Sequence, residues 1–334
     1  MATVYVSNAD SREISVLELD KRAGTLRALQ TLPVGGTAMP LALSPDQKKL
    51  YVALRSEPFT VAAFNIAATG QLSPLGQAPL PDSMAWIATD RSGRWLLAAS
   101  YGGHRASVSP ISADGQPEAA VQIVPNGKNA HAALPAPDNR HVYISSLGTD
   151  QVFQWRFDAT TGQLTPNEPP ALAARPGSGP RHLVLHPNGR HAYLLNELDA
   201  TVDLLDIDHQ KGQLSLRQHW PTLPAGFDGK AWAADLHLTP DGRFLYTCER
   251  NSSTLAIWRV DADSGMLTLV GHQATETQPR GFRIDASGQW LIAAGQLSHA
   301  LTLYRIDGES GRLTATHRLP VGQGPNWIEI VDRI

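Results

Sequence analysis

The chain has 334 residues, with 28 basic against 31 acidic side chains, a net charge of −3 and no long run of either sign. That balance argues against binding nucleic acid or an anionic membrane surface. A single cysteine, Cys248, excludes a disulfide within the chain, and no apolar run approaches the ~20 residues of a membrane helix. The amino terminus enters a strand pattern at once, without a signal segment, so a soluble, cytoplasmic protein is expected.

The first strand pattern is Val4-Tyr5-Val6-Ser7-Asn8, and a turn signal follows at Gly24. From there one phrase recurs: a short apolar strand, a polar turn and a second apolar strand. The turns centre on Pro45, Arg91, Pro137, Pro187, Pro240 and Ala286, at intervals of 46, 46, 50, 53 and 46 residues. Pro presets φ, and the Asp, Asn and Gly that follow tolerate turn geometry. A second signal, a Gly usually followed by Leu, comes 24 or 25 residues later, at Gly70, Gly115, Gly162, Gly212, Gly265 and Gly311. Each unit therefore holds four short strands.

The carboxyl-terminal Gly324-Pro325-Asn326-Trp327 repeats Gly179-Pro180-Arg181-His182, so the last strand completes the unit begun by the first three. A ring of sheets closes in this way without free edges. The expectation is an all-β, seven-bladed β-propeller in one domain spanning 1–334. Its units are 39–84, 85–130, 131–180, 181–233, 234–279, 280–325, and 326–334 together with 2–38.

In such a ring the start of each first strand and the end of each second strand lie on one face. The first set is Met39, Ala85, His131, Arg181, Ala234, Arg280 and Asn326; the second is Ala9, Arg55, Tyr101, Leu147, Glu197, Arg250 and Gln296. One mouth is therefore expected to be chemically rich and the other plain. Repeat consensus calls for small or apolar residues here, as at Ala85, Ala234 and Leu147. His131, Arg181, Arg280 and Glu197 are the candidate catalytic group, with Arg250 arriving beside them. Arg55, Arg250, His182, Asn196, Gln296 and Asn326 are candidate substrate contacts. Glu197, Asn196 and Asp235 offer oxygen atoms to a cation, but several arginines at the same mouth favour an anionic ligand, so neither metal nor cofactor is expected. His141, His191 and His237 read as surface or satisfied core groups, and Cys248 as packing. Residues 218–233 are the one long departure from the repeat; they fit either a lid over the mouth or a surface insertion packed on its own tryptophans.

Several phrases are more specific than propeller consensus: Gly179-Pro180-Arg181-His182, Asn196-Glu197-Leu198, Ala233-Ala234-Asp235-Leu236-His237 and Thr275 through Phe282. With Ala293 to Gln296 and Val321 to Pro325, they resemble the bacterial propeller-type 6-phosphogluconolactonase family over essentially the whole chain. That family in turn resembles the fungal carboxy-muconate lactonizing enzyme, whose proposed His, Glu and two Arg groups match His131, Glu197, Arg181 and Arg280. The resemblance implies hydrolysis of 6-phospho-D-glucono-1,5-lactone to 6-phosphogluconate in the oxidative pentose phosphate pathway, with a phosphorylated sugar lactone as the partner. Alternatives are a carboxy-muconate-type cycloisomerase, a lactonase for another sugar, or a non-enzymatic interaction scaffold. Nearby arginines lower a carboxylate below its reference of ~4.3, whereas a histidine starts near ~6.5. His131 is therefore the expected acid/base and Glu197 the water-orienting group or alternate base.

Overall fold

A computed structural model describes residues 1–333. Twenty-eight strands, β1–β28 in chain order, form seven four-stranded antiparallel sheets around a ring. The inner strands are β4 (Ala38–Leu43), β8 (Met84–Thr89), β12 (Ala130–Pro135), β16 (Pro180–Leu185), β20 (Ala233–Leu238), β24 (Pro279–Ile284) and β28 (Pro325–Asp332). Each begins one residue before the expected start of its unit. β28 pairs with β1 (Ala2–Asn8), so the last strand of the chain closes the blade opened by the first. Successive inner strands touch all the way round, from β28 through β4 back to β24.

Alternation along each strand puts apolar side chains on both sheet faces, and the core is therefore a set of layers between blades. Tyr5, Ile14 and Val16 of the closing blade, for example, pack on Leu41, Leu50 and Val52 of the next. Four of the repeat's Gly signals are bonded to tyrosines of the preceding blade. The hydroxyls of Tyr5, Tyr51, Tyr193 and Tyr246 donate to the carbonyls of Gly70, Gly115, Gly265 and Gly311, each in the following blade, at 2.7–3.0 Å. Each such buried bond contributes about 1 kcal/mol and fixes the angle between neighbours. Gly70 adopts φ +85°, and a Cβ there would meet Thr3 Oγ1 at 2.1 Å, so both the turn and the blade contact require glycine.

Candidate active site

At the start of every inner strand the pairing to the second strand slips. The irregularities fall at Ala38/Leu41, Met84/Trp86, Ala130/Ala133, Pro180/His182, Ala233/Leu236 and Pro279/Gly281, and at Ser7/Asn8 opposite the closing strand. The residues released from the ladder include Met39, Ala85, His131, Arg181, Ala234, Arg280 and Asn326, one per blade. A bulge leaves its extra residue unpaired and re-aims the side chain. Seven bulges in register thus turn this ring toward the channel.

Glu197 sits at the centre of the charged group. It directly follows the second strand β17 (His191–Asn196), and its Oε2 accepts from Arg181 Nε at 2.8 Å and pairs with Arg250 Nη2 at 2.9 Å. Burial works to raise its carboxyl, but the two guanidinium groups outweigh that and hold it below the ordinary carboxylate value. Arg181 also donates from Nη1 to the Ala234 carbonyl and lies 3.0 Å from His182 Nε2. Among the described residues its Nη2 has no hydrogen-bond partner. Arg250 donates Nε to the Trp232 carbonyl at 3.0 Å and Nη2 to the Ala233 carbonyl at 2.9 Å.

His131 lies beside this group, its ring 6.0 Å edge-on from Tyr101 and 5.0 Å from His182. Its Nδ1 is buried without a hydrogen-bond partner among the described residues, which leaves Nε2 as the nitrogen that can meet a ligand. Burial, followed by Arg181, His182, Arg280 and Arg250, holds the imidazole well below its usual 6.5. His131 is therefore neutral at pH 7.

Arg280 differs from the other arginines of the mouth. Arg55 is tied to Ser83 Oγ at 2.8 Å, and Arg181 and Arg250 share Glu197. Among the described residues Arg280 has neither an ion pair nor a hydrogen bond, though it stands half-buried. Burial foremost, then Arg181 and Arg250, press its guanidinium down to about 9. It still keeps its proton at neutral pH, and the nearby Glu197 carboxylate only partly offsets the burial and the neighbouring cations.

Four of the expected substrate contacts are engaged by other groups of the protein. Asn196 points opposite to Glu197, as strand alternation requires, and its Nδ2 donates to Thr201 Oγ1 at 3.0 Å. The Asn326 amide is spent on ring closure, donating to the Gly324 carbonyl at 3.0 Å and more weakly to those of Ser7 and Ala38. Gln296 stays on the mouth face but accepts from Gln278. His182 belongs to the channel wall below. Its Nδ1 meets Asp235 Oδ1 at 2.8 Å, and its ring packs edge-on against Trp86 and Trp327. His237 meets the other Asp235 oxygen at 3.1 Å. Burial and then Arg181 push His182 down to about 4, against the pull of Asp235. Trp86, Trp327 and this Asp235 pairing were missed from sequence; the Ala233–His237 phrase carried the only signal.

The other mouth is not plain. A cavity of about 580 Å³ opens on the turn side of the channel, away from His131 and Glu197, with Trp86 and Trp327 in its wall. Its lining includes Arg91, Asp235, His237 and the Arg283–Glu329 pair, closed at 3.0 Å. Arg91 lies on that face, donating to the Pro135 carbonyl at 2.8 Å. Among the described residues no three His, Cys, Asp or Glu side chains gather as metal ligands. Cys248 is buried in the core, and burial foremost raises its thiol far above the usual value. No helix is long and apolar enough to cross a membrane.

The family described as lactonase, 7-bladed beta-propeller, matches residues 2–330. The chain belongs to that family. Among curated lactonase relatives, the 6-phosphogluconolactonase of Serratia proteamaculans is 43% identical over 328 residues, covering 98% of each chain. That of Yersinia pestis is 43% identical over 327 residues, covering 98% of this chain and 97% of its own. The fold superposes on the periplasmic gluconolactonase of Pseudomonas aeruginosa with a TM-score of 0.94 at 27% identity, covering 100% and 99% of the two chains. This lactonase-family propeller thus carries its unpaired arginine, buried neutral histidine and doubly paired glutamate at one mouth.

Proposed function

We propose that this chain hydrolyses 6-phospho-D-glucono-1,5-lactone to 6-phosphogluconate, the second step of the oxidative pentose phosphate pathway. The observation that carries the reading is Arg280, a half-buried cation with no partner among the described residues, at the same mouth as a neutral histidine, since a mouth so arranged favours an anionic substrate that reacts through an oxyanion. Curated relatives of that name at 43% identity over nearly the full length support the same substrate.

In the proposed reaction Glu197 orients a water through the oxygen that its arginines leave free. The water attacks the lactone carbonyl and its proton passes to His131 Nε2. The oxyanion is met by Arg181 Nη2, so a guanidinium group supplies the electrophile without a metal. When the tetrahedral intermediate collapses, the ring oxygen leaves and takes the proton from His131, giving the open-chain hydroxyl and the acid. The same cations that disfavour the imidazolium make it a strong acid for this second step. Arg280 and Arg55 are the proposed phosphate contacts, because Arg250 is already committed to Glu197. A phosphorylated substrate is retained inside the cell, and the cytoplasm is the compartment this reading assigns.

A second reading, a lactonase for an unphosphorylated sugar, is favoured by the likeness to a periplasmic gluconolactonase. The two separate on kcat/KM for 6-phosphogluconolactone against gluconolactone. The proposal expects a preference of tenfold or more for the phosphorylated lactone, about the 1.4 kcal/mol that one modest charge-assisted contact supplies. That preference should shrink in Arg280→Gln. Equal values for both lactones would establish the second reading.

A further inference from the structure

The insertion at 218–233 reaches Arg250. Its base is anchored: Trp220, Leu223 and Ala231 pack on the core between blades, and Thr222 N donates to the Ala200 carbonyl at 2.8 Å. Asn251 Nδ2 donates to the Lys230 carbonyl at 2.7 Å, and Trp232 N donates to Glu249 Oε1 at 2.6 Å. The extra length ends by laying the Trp232 ring flat against the Arg250 guanidinium, with Cζ 3.8 Å from the ring centroid.

We infer that Trp232 is a positioning residue, which clamps Arg250 and through it fixes the Glu197 carboxylate. Arg250 is held from three directions. The indole covers one face, the Trp232 and Ala233 carbonyls take Nε and Nη2, and Glu197 Oε2 meets Nη2 at 2.9 Å. A long, rotamer-rich side chain would otherwise share its time among other acceptors. Stacking an arginine on a partly buried indole selects one of those arrangements. The insertion therefore supplies one aromatic ring and the Trp232 carbonyl to the catalytic group, beside the Ala233 carbonyl that begins the inner strand. For catalysis this rests on the lactonase reading; for the geometry it does not.

The test titrates the Glu197 carboxyl by carbon-13 NMR in labelled protein, assigned with Glu197→Gln, and needs no substrate. The charged groups that face Glu197 are Arg181, Arg250, Arg280 and the Tyr101 hydroxyl, so the titration reads their combined placement. In Trp232→Ala the Glu197 titration should move up toward the ordinary carboxylate value, and Trp232→Phe should restore most of the shift. kcat/KM should fall by roughly three- to thirtyfold in Trp232→Ala, the range of a cation–π contact. Phe227→Ala, in the same insertion but away from Arg250, should change neither readout. In an Arg250→Gln background, adding Trp232→Ala should change neither one further. A folded Trp232→Ala with an unmoved titration would overturn the inference, as would effects that multiply in the double variant. Should Trp232→Ala not fold, Trp232→Leu enters the same cycle. A moved titration in a protein without lactonase activity would keep the clamp and remove the reading of function.

Discussion

Replacing Glu197 with Gln tests the electrostatic frame of the mouth as a stability measurement. The carboxylate pairs with two guanidinium groups at 2.8 and 2.9 Å, and Arg181 and Arg250 are 2% and 4% exposed. At an effective dielectric of about 20 each attraction is about 6 kcal/mol, much of it offset by desolvation. Removing one partner and leaving the other charges buried costs about 3–5 kcal/mol. Unfolding entropy for a chain of this size is about 0.7 kcal/mol/K, so calorimetry should find the midpoint lowered by about 4–7 °C at pH 7. Adding Arg250→Gln should recover part of that loss, because it removes one stranded charge. Because the Glu197 carboxyl is lowered in the fold, the contribution of the pair is full above the unfolded value and lost as pH falls through the folded one. The deficit should accordingly narrow below about pH 4. A midpoint shift under about 1 °C at pH 7 would refute the view that Glu197 is the counter-charge that holds this mouth together.

His131→Asn should lower kcat by about 10²–10⁴-fold, the usual worth of a positioned acid/base, while the thermal midpoint stays put, since Nδ1 has no partner to lose. The pH profile of kcat/KM should keep its plateau to well below pH 6.5, where His131 is still neutral. Arg181→Gln removes one repulsive cation and should move that acid limb upward. Inorganic phosphate should inhibit competitively, and in Arg280→Gln its inhibition constant should rise by tenfold or more. Cys248 should resist thiol reagents in the native protein and react on unfolding, as expected of a buried thiol raised by desolvation.

The ring was legible because the turns are chemically marked. Pro45, Pro137, Pro187 and Pro240 set the period, and Pro325-Asn326 against Pro180-Arg181 revealed the closing strand. Counting back from those turns placed His131, Arg181 and Arg280 at equivalent positions, and the structure brings them to one mouth with Glu197. The seven bulges that aim them were not legible, since an extra residue in a ladder leaves no mark without the partner strand. Asn196 was readable in principle: alternation alone separates it from Glu197. The pairing of Arg250 with Glu197 was not, because it depends on the Trp232 ring and carbonyl, delivered by an insertion whose path the repeat does not set. The expectation of a plain second mouth failed for a related reason. Asp235, Arg283 and Glu329 lie farther along the inner strands than the ring positions considered, and one strand passes through both halves of the channel.

The most direct test follows the hydrolysis of freshly generated 6-phosphogluconolactone by parent and His131→Asn side by side, each against the spontaneous rate. The parent should show a large acceleration that survives chelator and is nearly lost in the variant. No acceleration by the parent, or an equal one by the variant, would contradict the claim that this mouth is a lactonase site.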